Sequence, residues 1–259
     1  MLPVKTKSVC WKAKQIVRLV PFLLLITISS ACGNGAAAGP ETQPFRALVF
    51  TKTTGFRHDS IPDGVAAIQR LGRDHGFSVD TTADAARFTP DVLARYDVVV
   101  FLSTTGTPIR RRAQRRALEG YIRAGGGFVG VHAASDTRGG WPWYEALVGT
   151  RFKRHDPGTS ARIVQVPDRR SAATRGLPRE WRRTDEWYLF RSNPRGRVHL
   201  LAMLDEARPL AWCHRYDGGR SVYTAMGHTK ASFAEPRFAG HLLGAIEMAA
   251  GRARFDCAP

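Results

Sequence analysis

Acidic residues are missing from the first 31 positions, which carry Lys5, Lys7, Lys12, Lys14 and Arg18. Lysine is scarce in the rest of the chain: Lys52, Lys153 and Lys230 stand beside 31 arginines. Cysteine is scarce throughout. Cys10, Cys32, Cys213 and Cys257 form no CxxC pair and no cysteine-rich zinc pattern, which excludes a disulfide-stapled mini-protein. There is no HExxH or comparably tight metal spacing. Leu19–Ile28 is an apolar run of ten residues broken by Pro21, too short for a bilayer, which needs about 20. No internal repeat and no long linker interrupts the body.

What is present is an ordinary globular composition. The 259 residues are 43% hydrophobic and 24% charged, which suits one domain with a tail. The 39 Lys+Arg against 22 Asp+Glu leave a net charge of +17. The densest basic run is Arg110, Arg111, Arg112, Arg115, Arg116 and Arg123. Ala113, Leu118 and Ile122 give that segment an apolar stripe, so the arginines read as a solvated helix face. No helix-turn-helix, zinc-finger or RNA-binding signature accompanies them, and nucleic acid is not an expected partner.

The N-terminus reads as an address. A positive segment, the short apolar run and Ser29-Ser30-Ala31-Cys32-Gly33 have the order of a signal peptide over residues 1–31. The small residues before Cys32 resemble a bacterial lipobox, with Ser29 where leucine is usual. Cys32 is then the lipidation site, and the membrane is a partner through that anchor. Plain secretion and an uncleaved anchor are the alternatives. Residues 32–44 are small and polar and read as a flexible tether. Export leaves Cys213 and Cys257 as the cysteines of the body. They could pair in an oxidising compartment, although spacing alone does not bring them together.

From Phe45 strand and helix signals alternate. Strands are predicted at Arg46–Phe50, Phe77–Thr82, Asp97–Leu102 and Phe128–Val131. Between them, one helix starts near Ser60 with Val65, Ile68 and Leu71 on one face, and another covers Ile109–Ala124. The order argues for an α/β fold, a doubly wound, mostly parallel sheet flanked by helices. The second half is strand-rich: Ala161–Val166, Trp187–Phe190, Val198–Leu204, Leu210–Tyr216 and Ser221–Met226. The last two read as a hairpin around Asp217-Gly218-Gly219-Arg220. A closing helix spans Phe233–Gly251. Residues 45–252 read as one domain and 253–259 as a tail.

Ligands of open parallel sheets sit at the carboxyl ends of strands. His58 follows the first strand, His132 and Asp136 the Phe128–Val131 strand, and His228 the last. They are expected on one rim, with His132 and His228 facing a common cleft that opens to solvent. Histidine titrates near neutral pH, so these are candidate acids, bases or metal ligands. Asp185-Glu186-Trp187-Tyr188 is the strongest acid motif. Neighbours on a strand point to opposite faces, so only one carboxylate can face the site, and Glu186 is the favoured one, as acid, base or metal ligand. The expected catalytic residues are His132, Glu186 and His228. His58, Arg57, Asp136, Trp187 and Tyr188 are the expected substrate contacts. Trp141, Trp143, Tyr144 and Trp212 add aromatic surface that could serve as a flat platform for sugars.

Four segments together resemble one family: Gly55-Phe56-Arg57-His58, the stretch Gly125–Asp136, Thr184–Phe190, and Pro209–His228. In this order, from about Phe45 to Gly251, they are similar to the trehalose-utilisation, or ThuA-like, family. The resemblance implies a class I glutamine-amidotransferase-like fold and a link to sugar catabolism. Amidotransferases of that superfamily carry a nucleophilic cysteine in Gly-x-Cys-x-Gly and a His-x-Glu dyad. Here those places read Gly130-Val131-His132-Ala133-Ala134 and His228-Thr229-Lys230. Without the thiol and the carboxylate, glutaminase chemistry is not expected. Phe152-Lys153-Arg154-His155-Asp156-Pro157 resembles the family's Phe-x-x-His-Pro stretch with Asp156 inserted. His155 therefore joins His58, His132 and His228 as a candidate ligand of a single divalent ion, zinc by its donors. The family's His-Pro-x-Thr stretch is not matched at Arg170–Thr174.

Two readings stay open at this level. One is an enzyme using histidines and a carboxylate on a sugar or oxidised sugar. The other is a non-catalytic carbohydrate-binding module at the cell surface.

Overall fold

The computed structural model describes residues 44–205 and 208–259. The signal peptide, Cys32 and nearly all of the tether lie outside the described residues. One nine-stranded sheet organises the body, in the order β2-β1-β3-β4-β11-β10-β9-β6-β7. Its strands are β1 Arg46–Phe50, β2 Ser78–Thr82, β3 Val98–Leu102, β4 Gly127–Val131, β6 Ser160–Gln165, β7 Glu180–Asp185, β9 His199–Leu204, β10 Arg208–Tyr216 and β11 Gly219–Thr224. A separate pair joins β5 Phe152–His155 to β8 Tyr188–Phe190.

Strands β2, β1, β3, β4 and β11 are mutually parallel. The pairings from β11 through β10, β9 and β6 to β7 are all antiparallel. Followed through, they leave β9 and β7 pointing the same way as β11, with only β10 and β6 reversed. The carboxyl end of β7 therefore belongs to the same rim as those of β1, β4 and β11.

Helices cover both faces, and this is why β3 (VVVFL) is buried at every position. On β4, a Cβ at Gly127 would run into the carbonyl of Ala249 in α6 (Pro236–Ala250). The next residue, Phe128, instead meets Tyr144 of α4 (Pro142–Val148), on the opposite face. Helix α1 (Ile61–His75) packs against α6 and α5 (Lys230–Ala234), and the short α2 (Pro90–Leu93) against α3 (Arg112–Arg123). Among the described residues, no helix is long and apolar enough to cross a membrane.

Three differences from the sequence-based expectations have local causes. The closing helix is two helices, because Pro236 drives Glu235 out of helical geometry (φ −76°, ψ 119°). The arginine-rich helix starts at Arg112 because Arg111 is extended. Strand β7 escapes an apolar-alternation reading because two of its three buried positions hold Arg183 and Asp185.

Cys213 on β10 is bonded to Cys257, and Ala253 and Phe255 of the predicted tail pack against the core. The bridge spans 44 residues of sequence; closing a loop of that order stabilises by about 2–4 kcal/mol.

Candidate functional site

The sheet brings His58, His132, Glu186 and His228 together on its carboxyl rim. One ligand atom from each lies within 4.8 Å of the other three. His58 sits in the loop between β1 and α1. His132 is the first residue after β4, where the backbone turns through φ +50°. That left-handed conformation is strained for a residue with a side chain. It is the sharp strand-to-helix turn at which the amidotransferase pattern would place cysteine. His228 follows β11 through Gly227 at φ +110°, a conformation that only glycine adopts freely. Glu186 lies between β7 and β8.

Asp185 explains why the far edge of the sheet reaches this rim. Its Oδ2 accepts from the Gly227 amide at 2.9 Å and its Oδ1 from the His228 amide at 3.0 Å. Strand β7 is four places from β11 in the sheet order, so the antiparallel half must curl back on the parallel half. The register shifts in β10 between Pro209 and Trp212 supply such a bend. Asp185 Oδ1 also accepts from the Glu186 amide at 2.9 Å. One buried carboxylate thus holds the backbone of two members of the cluster.

His132 has no exposed surface. Its Nδ1 lies 2.8 Å from the Ala225 carbonyl and must carry the proton there, since a carbonyl only accepts. In the neutral ring Nε2 is then a lone pair. Around it stand Tyr188 Oη at 3.0 Å, His58 Nε2 at 3.1 Å, His228 Nδ1 at 3.1 Å and Glu186 Oε2 at 3.6 Å. Glu186 Oε2 is 3.4 Å from His228 Nδ1. Burial, reinforced by His58, holds the His132 pKa well below the ordinary value. Burial and the nearby His228 lower His58 to about 4. Both rings are therefore neutral near pH 7, with nitrogen lone pairs available. Burial pushes the Glu186 carboxyl up, against the opposing pull of His228 and His155. Burial also raises the Tyr188 phenol, which stays a proton donor.

In place of the expected open cleft, His132 is sealed beneath the cluster. The cluster meets solvent at His228 and His155, whose side chains are 26% and 45% exposed. His155 Nδ1 is 3.3 Å from Glu186 Oε1 but stands outside the group of four, so Glu186 takes the place expected for His155 among the converging ligands. Among the described residues, the charged partners of Glu186 are histidines, not arginines.

Several expected substrate contacts lie elsewhere. Trp187 is fully buried; its indole N–H donates to Ser160, because the ring packs into the core behind the turn. Tyr188 is buried as well and acts from beneath, through its hydroxyl on His132. Asp136 pairs with Arg138 at 2.8 Å and does not enter the cluster. Arg57 is exposed beside it. Tyr144 and Trp212 belong to the core, while Trp141 and Trp143 are partly buried and stack on each other. Sequence reasoning missed Phe56, which is 69% exposed with its ring against His58; its place in the Gly-Phe-Arg-His segment was the available signal. It also missed the anchoring by Asp185, which no local pattern announces.

The family model described as ThuA, trehalose utilisation, matches residues 46–249. Among solved structures, a ThuA-like protein of Bacteroides uniformis ATCC 8492 is similar with a TM-score of 0.69 and 24% identity, over 82% of this chain and 94% of that one. A ThuA-like protein of Parabacteroides merdae ATCC 43184 gives a TM-score of 0.64 and 22% identity, over 80% and 90%. A β-galactosidase from Bacillus circulans sp. alkalophilus gives 0.54 and 13%, over 80% of this chain but 31% of that larger one. At these identities the likeness concerns the fold. No curated protein matches the chain. The family's description connects its members with carbohydrate metabolism. With a family match that takes in β1, all four clustered residues and most of α6, the chain belongs to the ThuA, or trehalose-utilisation, family.

Proposed function

We propose that this protein is an exported, lipid-anchored enzyme acting on a sugar or oxidised sugar, with one divalent ion held by His58, His132, His228 and Glu186. The observation that carries the reading is the convergence of three imidazole nitrogens and one carboxylate oxygen within 4.8 Å of one another. A single lone pair on His132 accepts one hydrogen bond, yet four polar groups crowd around it. Zinc bonded at 2.0–2.1 Å to tetrahedral nitrogens sets those nitrogens about 3.3 Å apart; four of the pairs here are separated by 3.1–3.6 Å, and the pairs of His58 with His228 and Glu186 lie within 4.8 Å. The bond from His132 Nδ1 to a backbone carbonyl is the outer-shell contact that orients a ligating histidine.

A divalent ion in this position supplies Lewis acidity to a substrate oxygen. The chain's own groups do the rest. His132 and Tyr188 form a dry floor, and Tyr188 keeps a proton at Oη. His155 stands at the mouth beside Glu186, within reach of a proton moving to or from solvent. A thiolate route is not available: among the described residues the cysteines are bonded to each other. The same bond supports export, since disulfides persist in oxidising compartments. The alternative of a non-catalytic sugar-binding module lacks its broad platform, because Trp187, Trp212 and Tyr144 are buried.

Calorimetric titration with trehalose and a panel of disaccharides and their keto forms tests this reading. The zinc-loaded protein is expected to bind at least one of them, and chelation to weaken that binding by about tenfold or more. Equal binding with and without the ion, or no binding to any sugar, would overturn it.

A further inference from the structure

Phe56 is 69% exposed, whereas Ile163, the other large apolar side chain left open among the described residues, is 43% exposed and lies on β6, away from the cluster. The Phe56 ring stands edge-on to His58, with centroids 4.9 Å apart at 87°. Its exposure is imposed by the backbone. The Thr105 hydroxyl donates to the Phe56 carbonyl at 2.6 Å. The Thr54 amide donates to the Thr105 carbonyl at 3.0 Å, and the Thr107 amide to the Thr54 hydroxyl at 2.6 Å. Gly55 fits closely between, where a Cβ would sit 3.3 Å from Thr105 Oγ1. The loop is therefore stapled to the one following β3 at Thr54 and at Phe56 itself, and the ring is held in water beside the cluster.

A flat apolar face offers a pyranose ring its best non-polar contact, because axial C–H groups line one side of the sugar and hydroxyls its edge. The other aromatic rings that reach the cluster are covered by protein. Resting on the carbohydrate reading above, we infer that Phe56 is the stacking platform for a pyranose ring of the ligand. It seats the ring beside His58 and His228, next to the exposed Arg57, whose guanidinium donates to the Thr51 carbonyl at 3.5 Å. Phe56 thus sets affinity for cyclic sugars without touching the ion.

The test uses the full chain loaded with zinc and trehalose as the probe, in calorimetric titrations of the wild type, Phe56→Ala, Phe56→Leu and Phe56→Trp. Alanine is expected to weaken binding about tenfold or more, and tryptophan to keep it within about threefold of the wild type. Leucine, apolar but not flat, should bind about as weakly as alanine, and zinc content should be equal in all four. Trehalose binding by Phe56→Ala at wild-type strength, or rescue by leucine as complete as by tryptophan, would overturn the platform while leaving the carbohydrate reading in place. Failure of the wild type itself to bind trehalose would overturn the platform as assigned; the disaccharide panel then decides separately whether the carbohydrate reading survives.

Discussion

Asp185→Ala is expected to destabilise the domain by about 3–5 kcal/mol, the range for removing one partner of a buried ion pair. The Arg183 and Asp185 side chains are 1% and 0% exposed and lie 2.9 Å apart. Arg183 also stands over the rings of Trp181 and Phe238, at 4.5 and 4.6 Å from their centroids. Without Asp185 its nearest remaining carboxylate is Glu235, at 3.7 Å. The amides of Glu186, Gly227 and His228 lose their acceptor at the same time, and the Ser232 hydroxyl loses a contact of 3.3 Å. Asp185→Asn preserves the shape and some acceptor capacity, so its loss should be smaller. Urea denaturation of the three proteins orders them. Wild-type stability in Asp185→Ala would show that this carboxylate does not hold β7 to β11.

His132→Ala should lower zinc affinity by at least about 100-fold, since disturbing only the outer-shell partner of a metal ligand costs 10–100-fold. His132 is the member of the cluster that every other member approaches within 3.6 Å. Its removal also leaves the Ala225 carbonyl without this partner, so some stability is lost with the ligand. Competition with a chromophoric chelator reads the affinity, and circular dichroism reports whether the domain remains folded. A folded His132→Ala protein that holds zinc as tightly as the wild type would remove His132 from the site.

The parallel half of the sheet was legible because its strands are short, nearly continuous apolar runs separated by helical spacing. The three histidines of the cluster are reached from that pattern: His132 and His228 follow the ends of buried strands and His58 lies in the loop after β1, and parallel topology gathers those ends. Glu186 followed from strand alternation, which separates it from Asp185. The curled half was harder to read. In β7 an ion pair replaces apolar residues, so the buried face carries no hydrophobic period. Trp187 looks like a binding residue in sequence because an aromatic beside an acid reads the same in a core and in a cleft; only packing separates them. Phe56 was hidden for the same reason: the Gly-Phe-Arg-His segment marks its position, but the residue type does not distinguish an exposed ring from a buried one. The role of Asp185 depends on amides more than forty residues away.

Elemental analysis of the purified protein, combined with X-ray absorption at the zinc edge, tests the proposed four-ligand centre most directly. The expected result is about one zinc per chain in a first shell of light atoms, nitrogen and oxygen without sulfur, at about 2.0–2.1 Å. A folded protein that retains no stoichiometric divalent ion after incubation with zinc would contradict it, as would a sulfur ligand in the first shell.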